Sequence, residues 1–191
     1  AFLNRVVYKQ VAQRLITALD PPSRSCAEIS GGLGRGFPFK SFEEFHYPDF
    51  DICTDVFRSA NGRLRKFDMI IADQVWEHLD RPYAATQNVR KMLNPGGVFY
   101  ICVPFYVRYH AFPVDCSRWT ARGLTNLLIE AGFPEAGITA DQWGNLASAQ
   151  RDCAKKWAKY DPAIDNLTND PDFPIVAWAV ATDKPPAIGM K

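Results

Sequence analysis

Helical spacing of apolar residues marks several segments of the chain. Residues 2–19 have an apolar side chain at every fourth position, and the prolines at 21 and 22 end this predicted amphipathic helix. Further helices are predicted over residues 82–93, 120–131 and 147–158. Each of them is expected to bury one face against the rest of the protein.

Short apolar runs between these helices predict buried strands. They cover residues 25–30, 67–73, 98–103, 137–143 and 174–182. The alternation of strands and helices predicts an α/β fold of the Rossmann-like, doubly wound type, with a mainly parallel sheet and helices on both faces. Ligands of such folds bind outside the carboxyl ends of the strands, so residues that directly follow a strand are candidates for a site.

Composition narrows the possible partners. Among 191 residues, 22 Lys and Arg balance 21 Asp and Glu, and a net charge of +1 argues against nucleic-acid binding through bulk electrostatics. No apolar run approaches the roughly 20 residues that span a bilayer, and the N-terminus lacks a signal-peptide pattern. The five scattered cysteines include no C-x-x-C pair, which fits a reducing compartment. We therefore expect a cytoplasmic protein without a membrane or nucleic-acid partner.

A glycine-rich turn, residues 31–36, follows the first predicted strand. It does not match a P-loop, because the nearest Lys-Ser pair, Lys40-Ser41, follows Phe39 instead of a glycine. It does not match the dinucleotide fingerprint either, because Phe37 stands where the third glycine is needed. A nicotinamide-dependent oxidoreductase is therefore disfavoured.

The turn does match a third pattern. Residues 28–34, Glu-Ile-Ser-Gly-Gly-Leu-Gly, resemble the acid-x-Gly-x-Gly-x-Gly motif of class I S-adenosylmethionine-dependent methyltransferases, with Ser30 in the first glycine position. Residues 67–79 resemble the fourth strand of that superfamily and its Glu-His-Leu turn, and residues 88–97 resemble the helix and turn that follow. Residues 110–120 are similar to a segment of the small "type 11" methyltransferases.

The resemblance covers residues 25–133 well and implies a domain organisation. We expect a single methyltransferase-like domain over residues 1–191. Its parts are an N-terminal helix (1–22), a cofactor-binding core (25–133), and C-terminal strands and a helix (134–191).

The resemblance also implies S-adenosylmethionine as the cofactor and a set of residues that bind it. Glu28 would bind the methionine ammonium, Asp55 would accept from the adenine amino group, and Asp73 would line the methionine side. Glu44 is a further candidate, for the ribose. The implied cofactor-binding residues are Glu28, Ser30, Gly31, Gly32, Gly34, Asp55, Asp73 and Gln74.

Chain length sets this sequence apart from the superfamily. Too few residues lie between Glu28 and the strand at 67–73 for the two strands and helices that usually occur there. One strand–helix unit is therefore predicted to be shortened or missing, which leaves a reduced sheet edge.

Acceptor-side chemistry is expected in the segment after residue 103. His110 is the best candidate for a general base, and the predicted substrate-binding residues are Tyr106, His110, Arg118 and Trp143. An alternative for Asp115 and Arg118 is an ion pair that fixes the loop. No metal site is predicted, since His110 and Asp115 have no third ligand at a suitable spacing.

The sequence thus predicts S-adenosylmethionine-dependent methyl transfer to a small-molecule or sugar acceptor, with a hydroxyl as the favoured acceptor group. The alternative is a non-catalytic binding or scaffold protein that keeps the fold. That alternative rests on Ser30 and on the shortened region after the glycine-rich turn. The oligomeric state is left open.

Overall fold

A computed structural model describes residues 1–154 and 156–184. The helices are α1 (Leu3–Thr17), α2 (Pro82–Lys91), α3 (Ala121–Glu130) and α4 (Leu146–Asp152). The strands are β1 (Ser25–Ile29), β2 (Ser41–Phe45), β3 (Phe67–Asp73), β4 (Leu93–Pro104), β5 (Ile138–Gly144) and β6 (Pro174–Thr182). Short 3₁₀-helices follow β1 at Leu33–Gly36 and β3 at Trp76–His78.

The strands form one six-stranded sheet in the order β2-β1-β3-β4-β6-β5. Strands β2, β1, β3 and β4 pair in parallel, and β6 runs antiparallel to both of its neighbours. The predicted α/β fold with a mainly parallel sheet is therefore confirmed.

Helices cover both faces of the sheet, as predicted. On one face, α1 and α4 pack against Met69 and Ile71 of β3. On the other face, α2 and α3 pack against Ile70 and Ala72 of the same strand. Successive side chains of a strand point to opposite faces, so this one apolar run supplies both cores.

The shortened region is also present. The connection from β1 to β2 contains only the 3₁₀-helix Leu33–Gly36, and β2 forms the edge of the sheet. Within the described residues, the segment between β2 and β3 has no helix or named strand. Phe50 and Phe57 of this segment pack on Phe45 and Phe67, with ring centroids 4.2 Å apart for Phe50 and Phe57. This aromatic cluster holds the segment against the sheet in place of a strand–helix unit.

Some elements differ from the sequence prediction. Strand β2 was not predicted. The helix predicted over 82–93 ends at Lys91, because β4 already begins at Leu93 and bends at Gly96, whose φ is +74°. The helix predicted over 147–158 ends at Asp152. No helix within residues 1–154 and 156–184 is long and apolar enough to cross a membrane.

Candidate active site

A cavity of about 660 Å³ opens at the carboxyl ends of β1, β2 and β3. Its walls come from these strand ends, from the loop after β2, from the turn after β3 and from residues 112–114. The lining residues are Ile29, Ser30, His46, Tyr47, Phe50, Asp51, Ile52, Cys53, Thr54, Gln74, Val75, His78, Leu79, Asp80, Arg81, Phe112, Pro113 and Val114. The position is the one expected for a ligand site in an open α/β sheet.

Glu28, the last but one residue of β1, lies fully buried beneath the glycine-rich turn. Its carboxylate accepts hydrogen bonds from the backbone N–H groups of Leu33 at 2.8 Å and Gly34 at 2.7 Å. Burial raises the pKa of Glu28, and these backbone donors oppose that rise. Both carboxylate oxygens are therefore used to hold the turn, and direct contact with a cofactor ammonium stays a prediction.

Two glycines let the turn close over Glu28. A Cβ atom on Gly31 would overlap the Glu28 carboxylate, and one on Gly34 would overlap the ring of Phe42 in β2. Gly32 is different, because the nearest atom to a Cβ there is 3.7 Å away, on Arg35. The backbone at residues 31 and 34 thus packs closely against other residues of the protein, whereas the backbone at Gly32 has free space next to it.

Left-handed backbone occurs at two residues that line the cavity. Ser30, directly after β1, has φ +54°, and Gln74, directly after β3, has φ +58°. Each is held by its backbone N–H, which donates to Phe45 in the first case (2.8 Å) and to Cys102 in the second (2.9 Å). Such conformations in non-glycine residues concentrate at ligand sites. The structure thus explains why the related motif has a glycine at the position of Ser30.

Ser30→Gly is expected to stabilise the protein by about 0.5–1 kcal/mol, because glycine adopts positive φ without steric strain. Among residues 1–154 and 156–184, the one side-chain hydrogen bond lost is long, 3.5 Å from the Tyr47 N–H to the Ser30 hydroxyl. Urea unfolding of wild type and variant measures the difference. A lower free energy of unfolding in the variant would contradict this account of residue 30.

Asp73 ends β3, directly before Gln74, which lines the cavity. Its Oδ1 is buried and has no hydrogen-bond partner within the described part of the chain. Burial and the nearby carboxylates of Glu28 and Glu77 raise the pKa of Asp73 to about 7, although Arg5 and Lys9 of α1 lower it. A buried carboxylate oxygen without a hydrogen-bond partner, next to a residue that lines a cavity, indicates a group that can bind a cationic ligand.

Sequence reasoning missed the contribution of α1. Arg5, Tyr8 and Lys9 lie on one side of this helix, and all three interact electrostatically with Asp73 or with each other. Burial and the charge of Asp73 raise the pKa of the Tyr8 hydroxyl. The i, i+3, i+4 spacing of Arg5, Tyr8 and Lys9 was the available signal, because it puts these three polar groups on one side of α1.

The two acids proposed for the adenosine half take different positions. Glu44 is the last but one residue of β2, where it pairs with Arg35 and with His46 at 3.2 Å, and Arg35 lowers the pKa of this carboxylate. Asp55 is exposed and is not among the residues that line the cavity. Asp51 does line it, and its side chain also accepts from the Cys53 N–H at 2.9 Å.

Glu77, His78 and His110 come together beside the cavity. Glu77 is fully buried, and its Oε1 lies 3.5 Å from Nε2 of His78 and 3.9 Å from Nε2 of His110. The proximity of Glu77 is the main cause that raises the pKa of His110. The loop is fixed by an ion pair between Arg118 and Asp115, and Arg118 lowers the pKa of Asp115 to about 2.

The remaining acceptor-side residues are spread out. Tyr106 follows β4 and is 41% exposed. Arg118 donates hydrogen bonds to the Asp115 carboxylate and to the backbone oxygen of Arg108. Trp143 is only 6% exposed, and its indole N–H donates to the Leu167 carbonyl at 3.0 Å. The structure thus places Trp143 in the core on the α1 side of the sheet instead of at the cavity.

A doubly wound sheet with a glycine-rich turn and a cavity at its carboxyl edge defines the Rossmann-like class of proteins that bind nucleotide-containing ligands. The model of a family described as "Methyltransferase domain" matches residues 5–135. The chain belongs to this family, among the class I S-adenosylmethionine-dependent methyltransferases. No curated protein gives a significant match.

Solved structures of similar fold include several methyltransferases. A possible histamine N-methyltransferase from Thermotoga maritima is 11% identical with a TM-score of 0.59, and the match covers 95% of this chain and 94% of that one. A methyltransferase from Mesorhizobium loti is 12% identical with a TM-score of 0.56, covering 90% and 97%. Phosphoethanolamine N-methyltransferase 2 from Haemonchus contortus, in complex with S-adenosylmethionine, is 10% identical with a TM-score of 0.55, covering 91% and 52%.

S-adenosylmethionine is accordingly the cofactor of this chain. The residues present fit it. The cavity is large enough for an adenosyl group, and the buried Oδ1 of Asp73 has no hydrogen-bond partner in the part of the chain that the structure describes, so a cationic ligand could supply one. The side chains of Arg5 and Lys9 are close enough to the Asp73 carboxylate to lower its pKa.

Proposed function

We propose that the chain transfers a methyl group from S-adenosylmethionine to a hydroxyl of a small-molecule or sugar acceptor. The observation that carries this proposal is the imidazole of His110, whose ring lies 5.2 Å from that of the cavity-lining His78 and whose Nε2 faces the buried carboxylate of Glu77. An imidazole in this setting favours loss of a proton from an acceptor hydroxyl. A neutral amine acceptor has less need of such a group, because its lone pair is already available for attack.

The cofactor contacts are assigned from the site geometry. Asp73 is proposed to bind the methionine ammonium, and Arg5 of α1 is proposed to bind the carboxylate, which charge complementarity supports. Ser30 and Gln74 border the adenosyl group in the cavity, and Asp51 replaces Asp55 as the acid nearest to the adenine. Glu28 acts indirectly, because it holds the glycine-rich turn in place.

Chemistry at the site is mostly a matter of alignment. When bound, S-adenosylmethionine supplies an electrophilic methyl group, whose bond to sulfur breaks as the acceptor oxygen attacks, so that the bonding pair stays on sulfur in S-adenosylhomocysteine. The chain's own residues orient the acceptor and exclude water through Phe112, Pro113 and Val114. The proton of the hydroxyl leaves towards His110.

A small acceptor in a reducing compartment is part of this proposal. The net charge of +1 supports a small molecule over a nucleic acid. All five cysteines are free, which supports a reducing compartment such as the cytoplasm.

Release of S-adenosylhomocysteine in the presence of three acceptor panels tests the proposal. The panels contain phenols, sugars and amines of similar size. We expect turnover with the phenols or sugars, a loss of about 100-fold or more for His110→Ala, and near wild-type turnover for the neighbouring exposed control Tyr109→Phe. Turnover confined to amines, or cofactor binding without turnover in any panel, would overturn the hydroxyl assignment, and the second result would favour a binding protein.

A further inference from the structure

Glu77 is a buried acid whose two carboxylate oxygens have no hydrogen-bond partner within the described residues. It lies in the 3₁₀-helix Trp76–His78 after β3, is 0% exposed, and neither of its carboxylate oxygens has a hydrogen-bond partner within residues 1–154 and 156–184. A buried carboxylate in this state is unfavourable unless a cation compensates its charge. The Nε2 atoms of His78 and His110 lie 3.5 Å and 3.9 Å from its Oε1.

Both imidazoles are oriented by a backbone carbonyl. Nδ1 of His78 lies 2.6 Å from the carbonyl oxygen of Val114, and Nδ1 of His110 lies 3.0 Å from that of Arg108. A carbonyl oxygen can only accept, so in each ring Nδ1 carries the proton. In the neutral ring, Nε2 then presents a lone pair, and both Nε2 atoms face the Glu77 carboxylate. This carbonyl-to-Nδ1 arrangement is how metal-binding histidines are usually held.

We propose that Glu77, His78 and His110 bind one divalent transition-metal ion. One ligand atom from each residue lies within 4.8 Å of the other two. Ligand atoms at about 2.1 Å from a tetrahedral Zn²⁺ are roughly 3.3 Å apart, so the observed 3.5 and 3.9 Å need only small side-chain movements. Two imidazoles and one carboxylate select Zn²⁺, Fe²⁺ or Co²⁺ over Mg²⁺ or Ca²⁺.

The loop that carries His110 is built to keep this geometry. The backbone N–H of His110 donates to Asp115 at 2.7 Å, and Arg118 braces the same carboxylate. The backbone oxygen of Glu77 accepts from Cys116 at 2.7 Å, which ties the loop to the 3₁₀-helix. His78 lines the cavity, so positions left open on the metal would face the ligand space.

Sequence spacing could not find this site. The sequence predicts no metal site, because no third ligand stands near His110 and Asp115 along the chain. The fold instead brings Glu77 and His78, more than 30 residues earlier, to Nε2 of His110. Asp115 remains on the other side of the ring, at 3.5 Å from Nδ1.

A role for the metal rests on the proposed function. A divalent ion at this wall of the cavity would lower the pKa of an acceptor hydroxyl that binds to it. His110 would then act as a ligand, and the ion would promote loss of the proton in place of a free imidazole. Metal binding itself does not depend on that role, and it can be tested without an acceptor.

The test is a titration of chelator-treated, purified chain with ZnCl₂ by calorimetry, and with CoCl₂ by visible absorbance. We expect one Zn²⁺ per chain and Co²⁺ absorption bands typical of nitrogen and oxygen ligands in a low-coordinate site. His110→Ala, His78→Ala and the isosteric Glu77→Gln should each weaken Zn²⁺ binding by about 100-fold or more. His46→Ala is the matched control, since His46 is the one remaining histidine and pairs with Glu44 instead. It should bind Zn²⁺ as wild type does.

No stoichiometric binding of Zn²⁺ or Co²⁺ to folded wild-type chain would overturn the proposal and would leave a His110–Glu77 ion pair as the account of the geometry. Binding that survives all three substitutions, or that His46→Ala removes, would place the metal elsewhere and would also overturn it. Titration of the metal-free chain with S-adenosylmethionine separates this proposal from the proposed function, because cofactor binding does not require the metal.

Discussion

Glu28→Ala is expected to weaken the binding of S-adenosylmethionine by about 100-fold or more. The substitution removes the acceptor for the backbone N–H groups of Leu33 and Gly34, and Gly34 is buried. Each such donor left without a partner costs about 1–3 kcal/mol, so the glycine-rich turn should lose its closed conformation. Isothermal calorimetry measures the affinity, and urea unfolding measures the accompanying loss of stability.

Glu28→Gln is the matched control for this prediction. Glutamine keeps one oxygen acceptor beneath the turn but carries no charge. If Glu28 acts by holding the turn, the glutamine variant should lie between wild type and the alanine variant in both affinity and stability. Wild-type affinity in Glu28→Ala would show that the turn does not depend on this carboxylate and would contradict the account.

Asp73→Asn is expected to stabilise the ligand-free protein at about pH 8 while it weakens cofactor binding by at least about tenfold. The pKa of Asp73 is about 7 in the folded chain against 3.8 for a free side chain, because the carboxylate is buried near Glu28 and Glu77. The folded state therefore holds the proton more tightly than the unfolded state. The stability that this group contributes is complete below about pH 4, falls as the pH rises, and is lost above about pH 7.

Asparagine removes this unfavourable charge, so the gain in the free energy of unfolding should be up to about 4 kcal/mol at pH 8 and about 1–2 kcal/mol at pH 5. Urea unfolding at the two pH values measures it. Asp68→Asn, at the other end of β3, is the matched control with the opposite sign. Burial alone would raise the pKa of Asp68, but hydrogen bonds from Ser25 and Asn94 outweigh burial and lower it. Replacement of this stabilised carboxylate by asparagine should therefore destabilise the protein. A loss of stability in Asp73→Asn at pH 8 would contradict the proposed state of the site.

The elements that the sequence predicts best are those with one strong local signal. Strand β3 is a continuous apolar run, and all but its two polar positions are buried. The length of chain before it also predicted the shortened region. Strand β2 was missed because it is an edge strand with two glutamates, Glu43 and Glu44, and all its residues are exposed or half-buried. Its pairing with β1 comes from the fold and not from its own pattern.

The candidate site divides in the same way. The glycine-rich turn, Ser30 and Gln74 follow strands directly, so the rule for ligand sites in parallel sheets finds them. Contacts between distant segments were not predictable from spacing. Arg5 of α1 interacts electrostatically with Asp73 at the end of β3, and the Glu77 carboxylate lies near His110 of the loop after β4. Trp143 packs in the core, because a large residue at a strand end is equally suited to fill a core or to contact a ligand.

The cavity at the ends of β1, β2 and β3 is the proposed binding site of S-adenosylmethionine. Calorimetric titration of the purified chain with S-adenosylmethionine and S-adenosylhomocysteine, with NAD as the control ligand, tests this assignment. We expect one site for each adenosyl ligand, no binding of NAD, and weakened binding in Glu28→Ala and Asp73→Asn. Failure of folded wild-type chain to bind either adenosyl ligand would contradict it.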